Sequence, residues 1–162
     1  MYRIGEGYDI HRLEPGRPLK IGCVAVDSPV GSVAHSDGDV LAHAVVDAVL
    51  GALGLGDIGR HFPPDDERWA GVDSRVFLAE ARRLCDENRA RIMNVDSTVI
   101  LQSPKLSPQI PAMCGALAEA LGCRSSCVSV KAKSAEGLGA VGEGAAVEAR
   151  AIVLLQTDCA DS

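Results

Sequence analysis

The sequence predicts a single-domain α/β fold of the α+β kind, a mixed β-sheet with helices covering one face. Three observations predict it. Strand-like segments such as YRIGEGYDIHRL, NVDSTVILQ and AAVEARAIVLLQT are interleaved with helical ones such as VLAHAVVDAVLGAL and VFLAEARRLC. A length of 162 residues suits one domain with a real core. With 47% hydrophobic and 23% charged residues, the balance is that of a globular chain and excludes disorder.

Taken in order, YRIGEGYDIHRL reads as the first strand, EPGRP as a turn and LKIGCVAV as a second strand, so the chain is expected to open with a hairpin. HSDGDVLAHAVVDAVLGALGLGD reads as a helix. Ser36 or Asp37 can cap it, acidic residues fill its first turn, and Gly54 or Gly56 ends it. RHFPPDDERWAGV is a polar loop with prolines. DSRVFLAEARRLCDENRARI has the period of an amphipathic helix, with Val76, Phe77, Ala81 and Leu84 on its apolar face. NVDSTVILQ is a β-branched strand. SPKLSPQIPAMCGALAEALG is a loop and a third helix ending at Gly122, and CVSVKAKS and AAVEARAIVLLQT are the last two strands. The domain is expected over residues 1–157, with 158–162 a frayed tail.

Composition narrows the function. A net charge of −6, with no basic run, argues against nucleic-acid binding. The longest apolar stretch, VLAHAVVDAVLGALGLG, is interrupted by His43 and Asp47 and is too short to span a membrane. Six scattered cysteines without a C-x-x-C pair, and an opening without a secretory leader, predict a reduced cytoplasmic setting. An anionic substrate would then need local groups, such as a bound cation, to offset the overall field.

Two constellations carry chemistry. Asp9 and His11 in GYDIH fall on one side of a strand, so they read as a surface pair, a buried hydrogen bond or half of a metal site. On the first helix, Asp39, His43 and Asp47 are spaced by four and share one face. A helix histidine is more often a structural hydrogen-bonder than a ligand. Together, however, Asp9, His11 and His43 offer the two imidazoles and one carboxylate of a catalytic zinc site with an open fourth position. Asp39 or Asp47 would then be the carboxylate that orients the imidazole. The second constellation is KAKSAEGLG. It reads either as a tight turn with solvated lysines or as a phosphate-binding turn, in which Glu136 has the oxygen chemistry for Mg²⁺. GEG occurs twice but lacks the spacing of a dinucleotide fingerprint.

The motifs IGEGYDIHRL, AHSDGDVLAHAVVDAVLGALGLGDIGRHFP, GVDSR, NVDSTVILQSPKLSP and VKAKSAEGLG, in that order over residues 2–156, resemble the 2-C-methyl-D-erythritol 2,4-cyclodiphosphate synthase family of non-mevalonate isoprenoid biosynthesis. The resemblance implies a bacterial cytoplasmic enzyme rather than a plastid one. It implies a CMP-releasing, cyclising phosphorus–oxygen lyase, assembled as a homotrimer with active sites between subunits. It implies Zn²⁺ on Asp9, His11 and His43, and a second divalent ion, Mg²⁺ or Mn²⁺, on Glu136 and the substrate diphosphate. It implies that His35 and Ser36 contact the erythritol and phosphate region, that Asp57 and Gly59 contact the ribose, and that Phe62 is among the substrate-binding residues. Leu101, Pro104, Lys105 and Leu106 then hold the cytosine of the cytidine nucleotide, and Ala132, Lys133 and Ser134 hold its diphosphate. Three departures stand out. Pro64 replaces an aspartate in FPPDD, Lys133 and Ser134 replace a threonine pair, and a short AVGEG replaces a longer loop bearing an aromatic and an arginine. The last removes the expectation of an isoprenoid diphosphate on the trimer axis.

Overall fold

The computed structural model describes residues 1–158, so of the expected tail only Asp158 falls within it and residues 159–162 lie outside the described residues. The strands are β1 (Tyr2–Pro15), β2 (Leu19–Ile21), β3 (Val24–Val26), β4 (Val30–Val33), β5 (Ala90–Ile100), β6 (Val128–Lys133) and β7 (Ala146–Thr157). The helices are α1 (Val40–Leu53), α2 (Ile58–His61), α3 (Arg75–Glu87), α4 (Ile110–Leu121) and α5 (Gly139–Gly142). One sheet has the order β4-β1-β7-β5-β6, with β5 and β6 parallel and the other neighbours antiparallel. The expected mixed sheet is therefore present.

Side-chain alternation divides the sheet into two faces. On β7, Val147, Ala149, Ala151, Val153 and Leu155 are buried, and they meet α1. That helix is buried nearly all round, from Val40 through Leu50, because α3 covers the side that the sheet does not. Among the described residues the other face of the sheet is covered by none of α1, α3 and α4, and Ile4, Tyr8, Ile10 and Ile152 stand exposed on it.

Five expectations are corrected. LKIGCVAV does not pair with β1. It folds on itself as the β2–β3 hairpin, because Gly22 (φ 60°) and Cys23 (φ 63°) form a two-residue left-handed turn. The strand that returns to pair with the end of β1, at Arg12–Pro15, is β4, a short run of small residues. The cap of α1 is Asp39 rather than Ser36 or Asp37, and no acidic residue lies in its first turn. On α3, Val76 is exposed while Leu78 and Cys85 join Phe77, Ala81 and Leu84 inside, and the chain after Arg89 enters β5 instead of continuing as helix. The ends of α1 and α4 at Gly54 and Gly122 are as expected.

Candidate metal centre and phosphate cleft

The site begins with backbone packing. A Cβ at Gly5 would lie 1.8 Å from the Ala48 carbonyl oxygen, and one at Gly7 would lie 1.9 Å from that of Ala44. Only glycine lets α1 lie directly on β1, backbone against backbone. The GEG that reads as a failed nucleotide motif is thus a docking surface for the helix. It brings His43, the neighbour of Ala44, down to the strand that carries Asp9 and His11.

Those three side chains converge. Asp9 Oδ2 lies 3.0 Å from His11 Nε2 and 3.0 Å from His43 Nδ1, and the two ring nitrogens are 3.1 Å apart. Tetrahedral ligands at zinc distances are about 3.4 Å apart, so this triangle need open by only a few tenths of an ångström to hold an ion. It is the one group of three or more such ligand atoms among the described residues. Two lone-pair nitrogens this close repel unless a cation, a proton or a metal, lies between them. Burial alone would raise the Asp9 carboxyl, but hydrogen bonds from His11 and His43 outweigh it and hold it well below the usual carboxylate range. Burial opposes charge on His43, and the Asp9 carboxylate overcomes it and raises the imidazole pKa. The residues present therefore fit a divalent metal.

The far side of the His43 ring is also engaged. Its Nε2 is 3.1 Å from Ser74 Oγ and 3.2 Å from Ser36 Oγ. The Ser74 hydroxyl donates to Asp37 Oδ1, whose other oxygen accepts from the Ser74 amide at 2.9 Å and from Lys20 Nζ at 2.9 Å. The expectation that Asp39 or Asp47 orients this ring is thus corrected, since neither carboxylate hydrogen-bonds it. Asp39 is fully buried and accepts from the amides of Gly22 (2.8 Å), Cys23 (2.5 Å) and Ala42 (3.0 Å), tying the β2–β3 turn to the start of α1. Asp47 accepts from the Ile58 amide at 2.7 Å and positions α2.

A second group of expected residues gathers in one cleft of about 270 Å³, lined by Leu101, Pro104, Lys105, Leu106, Ala132, Lys133 and Ser134 together with Gln102. The Gly137 amide donates to Gln102 Oε1 at 3.4 Å, linking the two loops that form it. In the turn beyond, the Ser134 hydroxyl donates to Glu136, which is held at φ 52°. The row Asp9–Ala149–Val99–Ala132 runs straight across the sheet. The metal triad and this cleft therefore sit at the same level, three strand spacings or roughly 14 Å apart.

The remaining expected residues lie elsewhere. His35 is exposed, with Nε2 3.3 Å from the Asp66 carbonyl. Asp57 caps α2 by accepting from the Arg60 amide at 2.9 Å, and Gly59 lies within that helix. Phe62 packs its ring against Phe77 and Trp69, at centroid distances of 4.5 and 5.0 Å. A cleft of about 340 Å³ at the opposite end of the sheet, between Arg82, Arg91, Cys123 and Arg124, holds none of these residues. Sequence reasoning gave Ser74 and Lys20 no role. The available signal was a serine at a helix start, within GVDSR, whose hydroxyl makes no cap.

Known proteins resemble nearly the whole chain. The YgbB family matches residues 2–156. The 2-C-methyl-D-erythritol 2,4-cyclodiphosphate synthase of Verminephrobacter eiseniae is 54% identical over 155 residues, covering 94% of this chain and 85% of that protein. A solved 2C-methyl-D-erythritol-2,4-cyclodiphosphate synthase with CDP bound superposes with a TM-score of 0.87 at 44% identity, over 95% of this chain and all of that one. The bifunctional IspDF of Campylobacter jejuni superposes at 0.93 with 36% identity, over 98% of this chain, which spans only 43% of that longer protein.

Proposed function

This chain belongs to the YgbB family, and on that premise we propose that it is a 2-C-methyl-D-erythritol 2,4-cyclodiphosphate synthase. The reaction is intramolecular. The 2-phosphate of 4-diphosphocytidyl-2-C-methyl-D-erythritol 2-phosphate attacks the β-phosphorus, CMP leaves, and the 2,4-cyclodiphosphate forms. Such a reaction makes the enzyme a phosphorus–oxygen lyase of non-mevalonate isoprenoid biosynthesis. The observation that carries the reading is the convergence of Asp9, His11 and His43 at the same end of the sheet as the Lys105–Ser134 cleft.

The substrate supplies its own nucleophile, so the protein's task is to fold a flexible anion back on itself. Well-oriented intramolecular partners reach effective molarities of about 10⁵–10⁸ M, so positioning alone can supply much of the rate. Ser134 and Lys133 would hold the diphosphate, while Leu101, Pro104, Lys105 and Leu106 take the cytosine. Ser36, Asp57 and Gly59 would face the sugar phosphates. Asp9, His11 and His43 would hold Zn²⁺, and Glu136 would help bind Mg²⁺ or Mn²⁺ on the diphosphate. Such cations supply positive charge that offsets phosphate repulsion and the charge developing on the leaving group. The thiols of Cys23 and Cys85 are raised by burial to about 12 and about 11, which suits a site that needs no cysteine nucleophile.

The roughly 14 Å between triad and cleft supports active sites completed by a neighbouring subunit. The face left uncovered by α1, α3 and α4, with Ile4, Tyr8, Ile10 and Ile152, supports burial of that face in a homotrimer. Among the described residues no helix is long and apolar enough to cross a membrane, which accords with a cytoplasmic enzyme. Phosphorus NMR of the cytidylyl substrate with the zinc- and magnesium-supplied protein tests the activity. The expected products are CMP and a cyclic diphosphate. An open-chain diphosphate would instead favour a water-using phosphohydrolase.

A further inference from the structure

We propose that Ser74, with Asp37 and Lys20 behind it, is a positioning residue that sets the tautomer of His43 and thereby its readiness to bind metal. The inference rests on the metal reading of the Asp9–His11–His43 triad.

The hydrogen count fixes the direction of each bond. Asp37 accepts from the Ser74 amide, the Ser74 hydroxyl and Lys20, and Lys20 also donates to Asp73 at 2.6 Å. An ionised carboxylate can only accept, so the single hydroxyl hydrogen of Ser74 is committed to Asp37. Toward His43 Nε2, at 3.1 Å, Ser74 then has only lone pairs to offer. That nitrogen must therefore carry a proton, so the only ring proton a metal can displace is the one His43 Nδ1 shares with Asp9, and its loss leaves Nδ1 as the lone pair aimed at the ion. Ser36 lies at a similar distance, but its hydroxyl can rotate to donate or accept and so imposes no tautomer.

Placement supports the assignment. Ser74 is fully buried and stands at the N-cap of α3, where a serine hydroxyl normally accepts an amide of the first turn. It makes no such bond, and the Arg75 amide is taken by Asp73 Oδ1 at 2.9 Å. The hydroxyl is thus withdrawn from its usual structural use and turned to the ring. A carboxylate–serine–imidazole chain of this kind does what a carboxylate–imidazole pair does at many metal sites, with serine as the spacer.

The test compares the full-length protein with Ser74→Ala and Asp37→Asn. Zinc affinity is measured by chelator competition, and the His43 imidazole nitrogens are observed by NMR on metal-free protein in mildly alkaline buffer. Ser74→Ala is expected to weaken zinc binding by about 10–100-fold and to deplete the Nε2–H population that the parent retains. Asp37→Asn, which keeps the shape but frees the serine hydrogen, should move both readouts the same way by a smaller factor, and it decides the matter if Ser74→Ala does not fold. Zinc affinity within twofold of the parent, or an unchanged nitrogen pattern, would overturn the proposal. Neither readout needs substrate. A chain that binds zinc as described but makes no cyclic product would refute the proposed reaction and leave this inference standing.

Discussion

Gly7→Ala is the substitution that asks most of the fold. The added methyl would sit 1.9 Å from the Ala44 carbonyl oxygen and 2.7 Å from the Ala48 amide nitrogen, both backbone atoms that cannot rotate away. Because real Cβ contacts essentially never fall below 3.0 Å, α1 must lift from β1 by at least about 1.1 Å. His43 rides on that helix next to Ala44, so its 3.0 and 3.1 Å separations from Asp9 and His11 open by a comparable amount. Metal sites tolerate about 0.2 Å, so zinc should be lost or bound far more weakly. Overpacking costs about 1–3 kcal/mol, and at this chain length each kcal/mol lowers Tm by about 2–4 °C. Chelator competition and a thermal melt are the assays. Gly51→Ala is the control, since its Cβ would meet only the Glu6 carbonyl at 3.7 Å and should leave zinc affinity unchanged. If Gly7→Ala bound zinc like the parent, the link from glycine to helix docking to metal geometry would be wrong.

Other predictions follow from the same site. His43→Ala should lower zinc affinity more than 100-fold and stop turnover, and normal metal content with normal rate would remove it from the ligand set. Ser134→Ala should raise KM about tenfold or more with kcat little changed, as befits one lost hydrogen bond to an anion, so unchanged kinetics would argue against the phosphate turn. The pH dependence has a definite sign. His43 is raised by Asp9, so its contribution to the metal-free fold is complete below the ordinary imidazole pKa of about 6.5 and fades as pH rises through its folded value. Asp9 is lowered, so its contribution is present above the ordinary carboxylate value and is lost on acidification. Melting of the metal-free protein should therefore peak on the acid side of neutrality, while zinc, which competes with the His43 proton, should stabilise increasingly as pH rises. A metal-free Tm that climbed steadily into alkaline pH would contradict the ion-pair account.

What was legible in the sequence was local. The 3.6-residue period of α3 (Val76 apart), the glycine after α1 and the alternation of β7 reflect forces within one segment, and these features form where the pattern puts them. The triad was legible too, because a D-x-H strand and a helix histidine define a ligand set once both are seen. The misses were contacts between distant segments. That LKIGCVAV closes on itself depends on Asp39, sixteen residues beyond Cys23, accepting both turn amides. The same capture makes Asp39 the helix cap and takes it away from His43. Ser74 reaches His43 across 31 residues, and nothing in the local spacing of either reveals it. The glycines of the first GEG could not declare their use until the helix that covers them was placed.

X-ray absorption at the zinc edge of the metal-loaded protein reads the central site without substrate. The account predicts two imidazole nitrogens and one carboxylate oxygen at about 2.0–2.2 Å, with a fourth light atom from solvent that cytidine diphosphate or substrate displaces. Sulfur at about 2.3 Å, or a closed shell of four protein ligands, would contradict it.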